Sequence, residues 1–134
     1  MPYDNLSPGT RVTGERINSF LKILDKNNPV RLVLITVSAL IQKNIPLENY
    51  PKSVKKITIG SELNLSTFVK NAIDSGYRRA GNVMDIGEIA VRGGIVDIYS
   101  PSYNRPIRID FFGDEVEDLK FFDPLTQLTN DSVK

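Results

Sequence analysis

The chain contains no cysteine and no histidine. Without cysteine there are no disulfides and no thiolate metal sites, which makes a cytoplasmic setting the expectation. Without histidine, the commonest general base and the commonest metal ligand are gone. Catalysis would have to rest on carboxylates, Lys, Tyr or Ser. No apolar run reaches the length of a membrane span, and Met1-Pro2-Tyr3-Asp4 does not begin a secretory signal. The phosphate-binding pattern Gly-x-x-x-x-Gly-Lys-Ser/Thr is missing too, so Gly93-Gly94 and Gly60-Ser61 are not phosphate loops. Internal repeats and low-complexity segments are likewise absent.

What remains is globular in composition: 134 residues, 40% apolar and 25% charged, enough for one domain or a little more. The net charge of +1 is unevenly spread. Residues 1 to 60 hold nine Lys and Arg against four Asp and Glu, whereas residues 61 to 134 hold eight against twelve. A net-acidic second half is a poor match for nonspecific phosphate-backbone binding and suits a protein partner better. An acidic surface that only keeps the domain soluble is the plainer alternative.

The clearest pattern lies between Gly87 and Phe122. Ile89 and Val91 alternate with Glu88, Ala90 and Arg92, as in a half-buried strand. Gly93-Gly94 suits a two-residue hairpin turn with positive φ at both positions. That turn places Val91 opposite Val96 and Ile89 opposite Ile98, four apolar side chains on one face that a one-residue slip would scatter. The other face carries Glu88, Arg92, Asp97 and Tyr99, with Arg92 and Asp97 as diagonal neighbours. A third strand begins near Pro106, in which Ile107, Ile109 and Phe111 alternate with Arg108, Asp110 and Phe112. After a turn at Gly113-Asp114, Val116, Leu119 and Phe121 share a face only if a bulge falls near Glu117-Asp118.

Upstream, residues 2 to 10 read as a loop and Arg11 to Lys26 as an amphipathic helix with the stripe Ile17, Phe20, Leu21 and Leu24. Val30 to Thr36 is a nearly continuous apolar run, the pattern of a strand covered on both faces. Thr36 or Ser38 caps a short helix, Ala39 to Lys43. This helix–strand–helix piece is too small for its own core. It is expected to be the tail of a larger α/β domain lying outside this sequence, with Met1 an added start and Lys134 a cut end. In the competing arrangement, Val30 to Thr36 joins the downstream sheet. Pro46 to Pro51 form a linker and Lys55 to Ile59 a strand. Asn64 caps a helix from Leu65 to about Ser75, with an apolar stripe of Leu65, Phe68, Val69, Ala72 and Ile73 and Gly76 as its stop. The fold class is therefore α+β: a partial α/β tail, then a small antiparallel sheet of three or four strands packed with one helix.

No nucleophile, base and oxyanion hole assemble from these residues. Asp114-Glu115, and Asp85 with Glu88, read as turn residues beside solvated carboxylates. Arg92 and Arg108 project from the sheet face away from the helix, with Arg78 and Arg79 upstream, and arginine beside aromatic residues is the composition of interface anchors. Phe111-Phe112 sends one phenyl to the core and one outward, and alternation assigns Phe111 inward. Cross-strand salt bridging on a solvated face is the equally weighted alternative.

The runs GEIAVRGGIVDIYSP and PIRIDFFGDEVEDLKFFDPLTQ resemble the segment shared by bacterial transcription-repair coupling factors (Mfd) and the excision-repair protein UvrB. Pro2-Tyr3-Asp4, Leu6-Ser7-Pro8 and Val37 to Gln42 resemble coupling factors in particular. Ala90, where UvrB carries a further arginine, also favours them. Ile89 and Tyr99 are conservative departures from commoner aromatic choices. The resemblance implies that residues 1 to 50 end a degenerate domain 1a-like unit and that residues 51 to 134 form a UvrB domain 2-like module that docks UvrA. It implies UvrA contacts at Arg79 or its neighbour Arg78, and at Arg92, Arg108, Asp110 and Phe111. It implies no catalysis or cofactor in this chain, ATP and Mg²⁺ belonging to motor domains of the parent protein. RNA polymerase and double-stranded DNA would be met through other domains, with no membrane partner. A UvrB-like fragment, or a nucleic-acid-contacting module using the arginines, is the alternative.

Overall fold

The computed structural model describes residues 10–42, 46, 49 and 54–133. The chain divides into two compact units, residues 15–56 and residues 57–134 together with 1–14. The predicted loop at residues 2 to 10, except Thr10, which begins the first helix, lies outside the described residues, as do the end of the second helix at Lys43 and most of the predicted linker.

Helix α1 (Thr10–Leu24) forms as its periodicity requires. Ile17, Phe20, Leu21 and Leu24 are half-buried, while Arg11, Val12 and Glu15 are exposed. Asp25 ends the helix, its carboxylate accepting the Asn27 N–H at 2.9 Å. The predicted strand at Val30 to Thr36 does not form. The run has no regular secondary structure and pairs with no described strand, and Leu34 is 89% exposed. An apolar sequence can favour extension, but a strand needs a neighbouring ladder for its backbone groups, and no described segment supplies one. Thr36 does cap α2 (Val37–Leu40), its hydroxyl accepting the Ala39 N–H at 3.3 Å.

The other unit is a six-stranded sheet in sequential order. Its strands are β1 (Arg78–Arg79), β2 (Glu88–Arg92), β3 (Ile95–Ile98), β4 (Ile107–Phe112), β5 (Glu115–Phe122) and β6 (Thr129–Ser132). β1 runs parallel to β2, and all later pairs are antiparallel. The hairpin register is the one alternation requires, Ile89 opposite Ile98 and Val91 opposite Val96. Only the first turn glycine has positive φ, Gly93 at 60°, the requirement of a II′ rather than a I′ turn. Gly94 is needed for a different reason: a Cβ there would lie 2.8 Å from the Phe111 carbonyl oxygen of the next strand.

The bulge falls at Glu117. Phe111 pairs with Val116 and Asp110 with Asp118, which leaves Glu117 unpaired. Val116, Leu119 and Phe121 therefore all reach the core face, where they meet Ile89, Val96, Ile107, Ile109 and Phe111. Helix α3 (Leu65–Asp74) covers that face with Phe68, Val69 and Ala72. Asn64 accepts the Thr67 N–H at 3.0 Å, and Gly76 leaves the helix at φ 100°. The α+β class holds.

Three further elements differ from expectation. Lys55 to Ile59 is not a strand. The chain instead meets β5 beyond Gly60 (φ 80°), through a lone bridge between Glu62 and Glu115. There Gly60 N–H donates to the Val116 carbonyl at 2.8 Å and Leu63 N–H to the Asp114 carbonyl at 2.6 Å. β1 and β6 are additional strands, too short or too polar to show alternation. The outer sheet face is not simply solvated. Val83, Ala90 and Phe122, with Tyr99 against them, form a second small core beneath the loops at 80–86 and 123–128.

Candidate docking face

The outer face is organised by one carboxylate. Asp97, at the centre of β3, is 1% exposed. Its cross-strand register partners are Ala90 on β2 and Arg108 on β4. A buried carboxylate needs partners, because taking a lone charge out of water is costly. Asp97 has two. Arg108 binds it in a fork, Nε to Oδ1 at 2.7 Å and Nη2 to Oδ2 at 2.9 Å. Arg92 reaches the same Oδ2 with Nη2 at 2.5 Å. Two cations on one anion leave the cluster with net positive charge.

The two arginines differ in what is left over. The Arg108 side chain is 17% exposed, its guanidinium 4.9 Å from the Phe122 ring centre, and Nη1 donates to the Gln127 carbonyl at 3.4 Å. Its hydrogen bonds to Asp97 hold its pKa above the ordinary arginine value. The Arg92 side chain is 47% exposed, and its only further partner among the described residues is Asn82, at 3.3 Å. Arg108 is therefore the fixed post and Arg92 the free hand.

Around Arg92 the register assembles a row. Ile95 lies opposite Arg92, Asp110 opposite Ile95, and Asp118 opposite Asp110. Asp118 pairs with Lys120 at 2.5 Å, which lowers the carboxyl pKa and raises the ammonium pKa. At the end of β4, Phe112 stands 78% exposed on the same face. The site is thus a rim with Arg92 at one end, the facing carboxylates of Asp110 and Asp118 at the other, and one bare phenyl.

The six expected contact residues do not form one patch. Arg92, Arg108 and Asp110 share the outer face. Phe111 is corrected: it lies on the core face in the main cluster, because successive strand side chains point to opposite sides. The outward ring is that of Phe112, and the alternation alone contained that signal. Arg78 and Arg79 are consecutive on β1 and part company in the same way. Arg78 pairs with Glu88 at 2.5 Å on the outer face, whereas Arg79 lines a groove beside α3.

Glu88 also departs from the expected solvated turn carboxylate. It is buried, and its Oε2 accepts the N–H groups of Met84 at 2.8 Å and Asp85 at 3.0 Å. Those donors, with Arg78 beside them, hold its carboxyl below the usual range. Sequence reasoning also missed Gln127. It sits at φ 62° and donates Nε2 to the carbonyls of Pro124 at 2.6 Å and Val83 at 3.2 Å. It thereby ties the two loops that roof the small second core. Among the described residues, no group of three or more acidic side chains could hold a metal ion. No helix there is long and apolar enough to cross a membrane.

The second unit is thus a small six-stranded sheet with one helix on its inner side and a charged, aromatic outer rim. The UvrB interaction domain family matches residues 56–134, and the chain belongs to that family. Its full length is similar to one stretch of known transcription-repair-coupling factors: 31% identical to that of Myxococcus xanthus and 29% to that of Escherichia coli, over 100% of the chain in each case. The factor from Mycobacterium bovis is 30% identical over 91% of the chain. The chain spans only 11%, 12% and 10% of these relatives, about a tenth of their length. The resemblance to coupling factors read from the sequence therefore stands.

Proposed function

We propose that residues 51 to 134 act as a non-catalytic docking module through which a transcription-repair coupling factor recruits UvrA. The supporting observation is the pairing of a half-free Arg92, held by Asp97, with the bare Phe112 on one face. Buried aromatic and arginine anchors dominate protein interfaces, and here both are presented on strands rather than on loops. In this reading Arg92, Asp110 and Phe112 meet the partner, Arg108 holds the surface from behind, and Phe111 shapes the core beneath. Residues 1 to 50 belong to a neighbouring domain 1a-like unit. ATP and Mg²⁺ chemistry, and contacts with RNA polymerase and double-stranded DNA, belong to other parts of the longer protein, which acts in the cytoplasm.

The test is capture of purified UvrA by the immobilised chain. Arg92→Glu and Phe112→Ala are each expected to weaken capture by about tenfold or more, as truncation of central anchors does, with the circular dichroism spectrum unchanged. Capture that survives both substitutions removes the assignment. A gel-shift series addresses DNA contact through the same arginines. DNA binding that falls steeply with salt and is lost in Arg92→Glu would replace a protein partner with nucleic acid.

A further inference from the structure

The opposite side of the sheet, away from the proposed docking face, carries a groove. It is shallow and open, of about 400 Å³, and lies between helix α3 and the β1–β2 edge. Its lining is mixed: Leu65, Val69 and Ile73 from the helix and Val91 from β2 are apolar, whereas the remainder, Ser66 among it, is polar or charged. Ile73 belongs to the helix's apolar stripe, yet it remains 40% exposed. The rim carries Lys70 and Arg79 against the single carboxylate of Asp74. Neither cation has an ion-pair partner among the described residues.

The groove also borders an open sheet edge. Arg78 N–H donates to the Gly87 carbonyl at 2.8 Å and Ala80 N–H to the Ile89 carbonyl at 2.9 Å. In a parallel pair this turns the N–H and C=O of Arg79, between them, away from β2. Among the described residues, no strand lies beyond β1 in the sheet. An unpaired edge beside side-chain pockets is the arrangement that captures extended peptides by strand addition.

We propose that this groove binds an extended acidic–apolar segment of a partner protein. The segment lies along β1, its alternate apolar side chains entering between Leu65, Ile73 and Val91. Its intervening carboxylates pair with Arg79 and Lys70. Two unpaired cations against one anion select an acidic segment over a basic one.

The test uses the folded chain and a fluorescein-labelled octapeptide of alternating Glu and Val, with the Lys–Val octapeptide as control. Fluorescence polarisation should show saturable binding of the Glu–Val peptide alone. Arg79→Glu should raise Kd about tenfold or more, as charge reversal at a paired contact does, while Arg79→Lys retains most of the affinity. Ile73→Lys should also weaken binding, whereas Arg92→Glu on the opposite face leaves it unchanged. Equal binding of both peptides, no saturable binding, or an unaffected Arg79→Glu protein each overturns the proposal. Light scattering that shows a dimer dissolved by Ile73→Lys, without peptide binding, assigns the groove to a second copy and overturns it equally. Should Ile73→Lys fail to fold, the exposed Arg79 substitutions carry the test. UvrA capture and peptide titration use opposite faces, so either can fail without the other.

Discussion

The two faces of one sheet solve different problems with the same backbone. The inner face is continuous and apolar, and α3 packs on it with Phe68, Val69 and Ala72. The outer face has only a small apolar patch, at Val83, Ala90 and Phe122, and is otherwise held by ions around Asp97. Burial of apolar area is non-directional and tolerates repacking. A buried carboxylate with two guanidiniums is directional, and its geometry fixes where Arg92 points. The inner face accordingly supplies stability, and the outer face presents side chains at set positions.

The largest expected effect separates the consecutive phenylalanines that straddle this divide. Phe111→Ala should cost about 3 to 5 kcal/mol, the usual penalty for emptying a buried aromatic site. Phe112→Ala should stay within about 0.5 kcal/mol. Urea unfolding of the two variants measures the contrast, and equal losses would erase the distinction between the faces. Next comes Asp97→Ala, which strands Arg108 and should cost about 3 kcal/mol. If the charge left behind is the cause, Asp97→Ala combined with Arg108→Met should recover much of that loss. An additive double variant would show that the outer face is held by packing instead. The smallest effect concerns Glu88, whose folded pKa is lowered. At acidic pH the unfolded chain then binds more protons there than the folded one does. Its contribution is complete above the ordinary glutamate pKa and fades as pH falls through the lowered folded value. Thermal melts of the wild-type chain should lose stability across that acid window, and Glu88→Gln should show a shallower decline. Identical pH profiles would place the acid sensitivity elsewhere.

The sheet was legible where a side-chain pattern and a turn agreed. The register of Ile89 and Val91 against Ile98 and Val96, the bulge at Glu117 and the inward Phe111 all follow from keeping apolar residues on one side. Elements that depend on distant backbone partners were not legible. β1 exists because Arg78 and Ala80 find the carbonyls of Gly87 and Ile89, and nothing in Arg78-Arg79 announces that. Val30 to Thr36 shows the converse, a strand-like composition with no neighbour to pair with among the described residues. At the site, Arg92 and Asp97 were readable as diagonal neighbours. The burial of Glu88 was not, because it depends on the loop at Met84 and Asp85 folding back over it. The family likeness placed Arg79 with the other arginines, whereas parity along β1 sends its side chain toward α3.

The unpaired Glu117 acts as a frame marker for everything after it. Upstream of it, even-numbered positions of β5 face α3; from Asp118 onward, odd-numbered ones do. Losing that single residue would exchange the surroundings of Leu119 through Phe122 wholesale, sending Lys120 among hydrocarbons and Leu119 into water. Length, more than composition, is therefore what natural variation can least afford to alter between Val116 and Phe122.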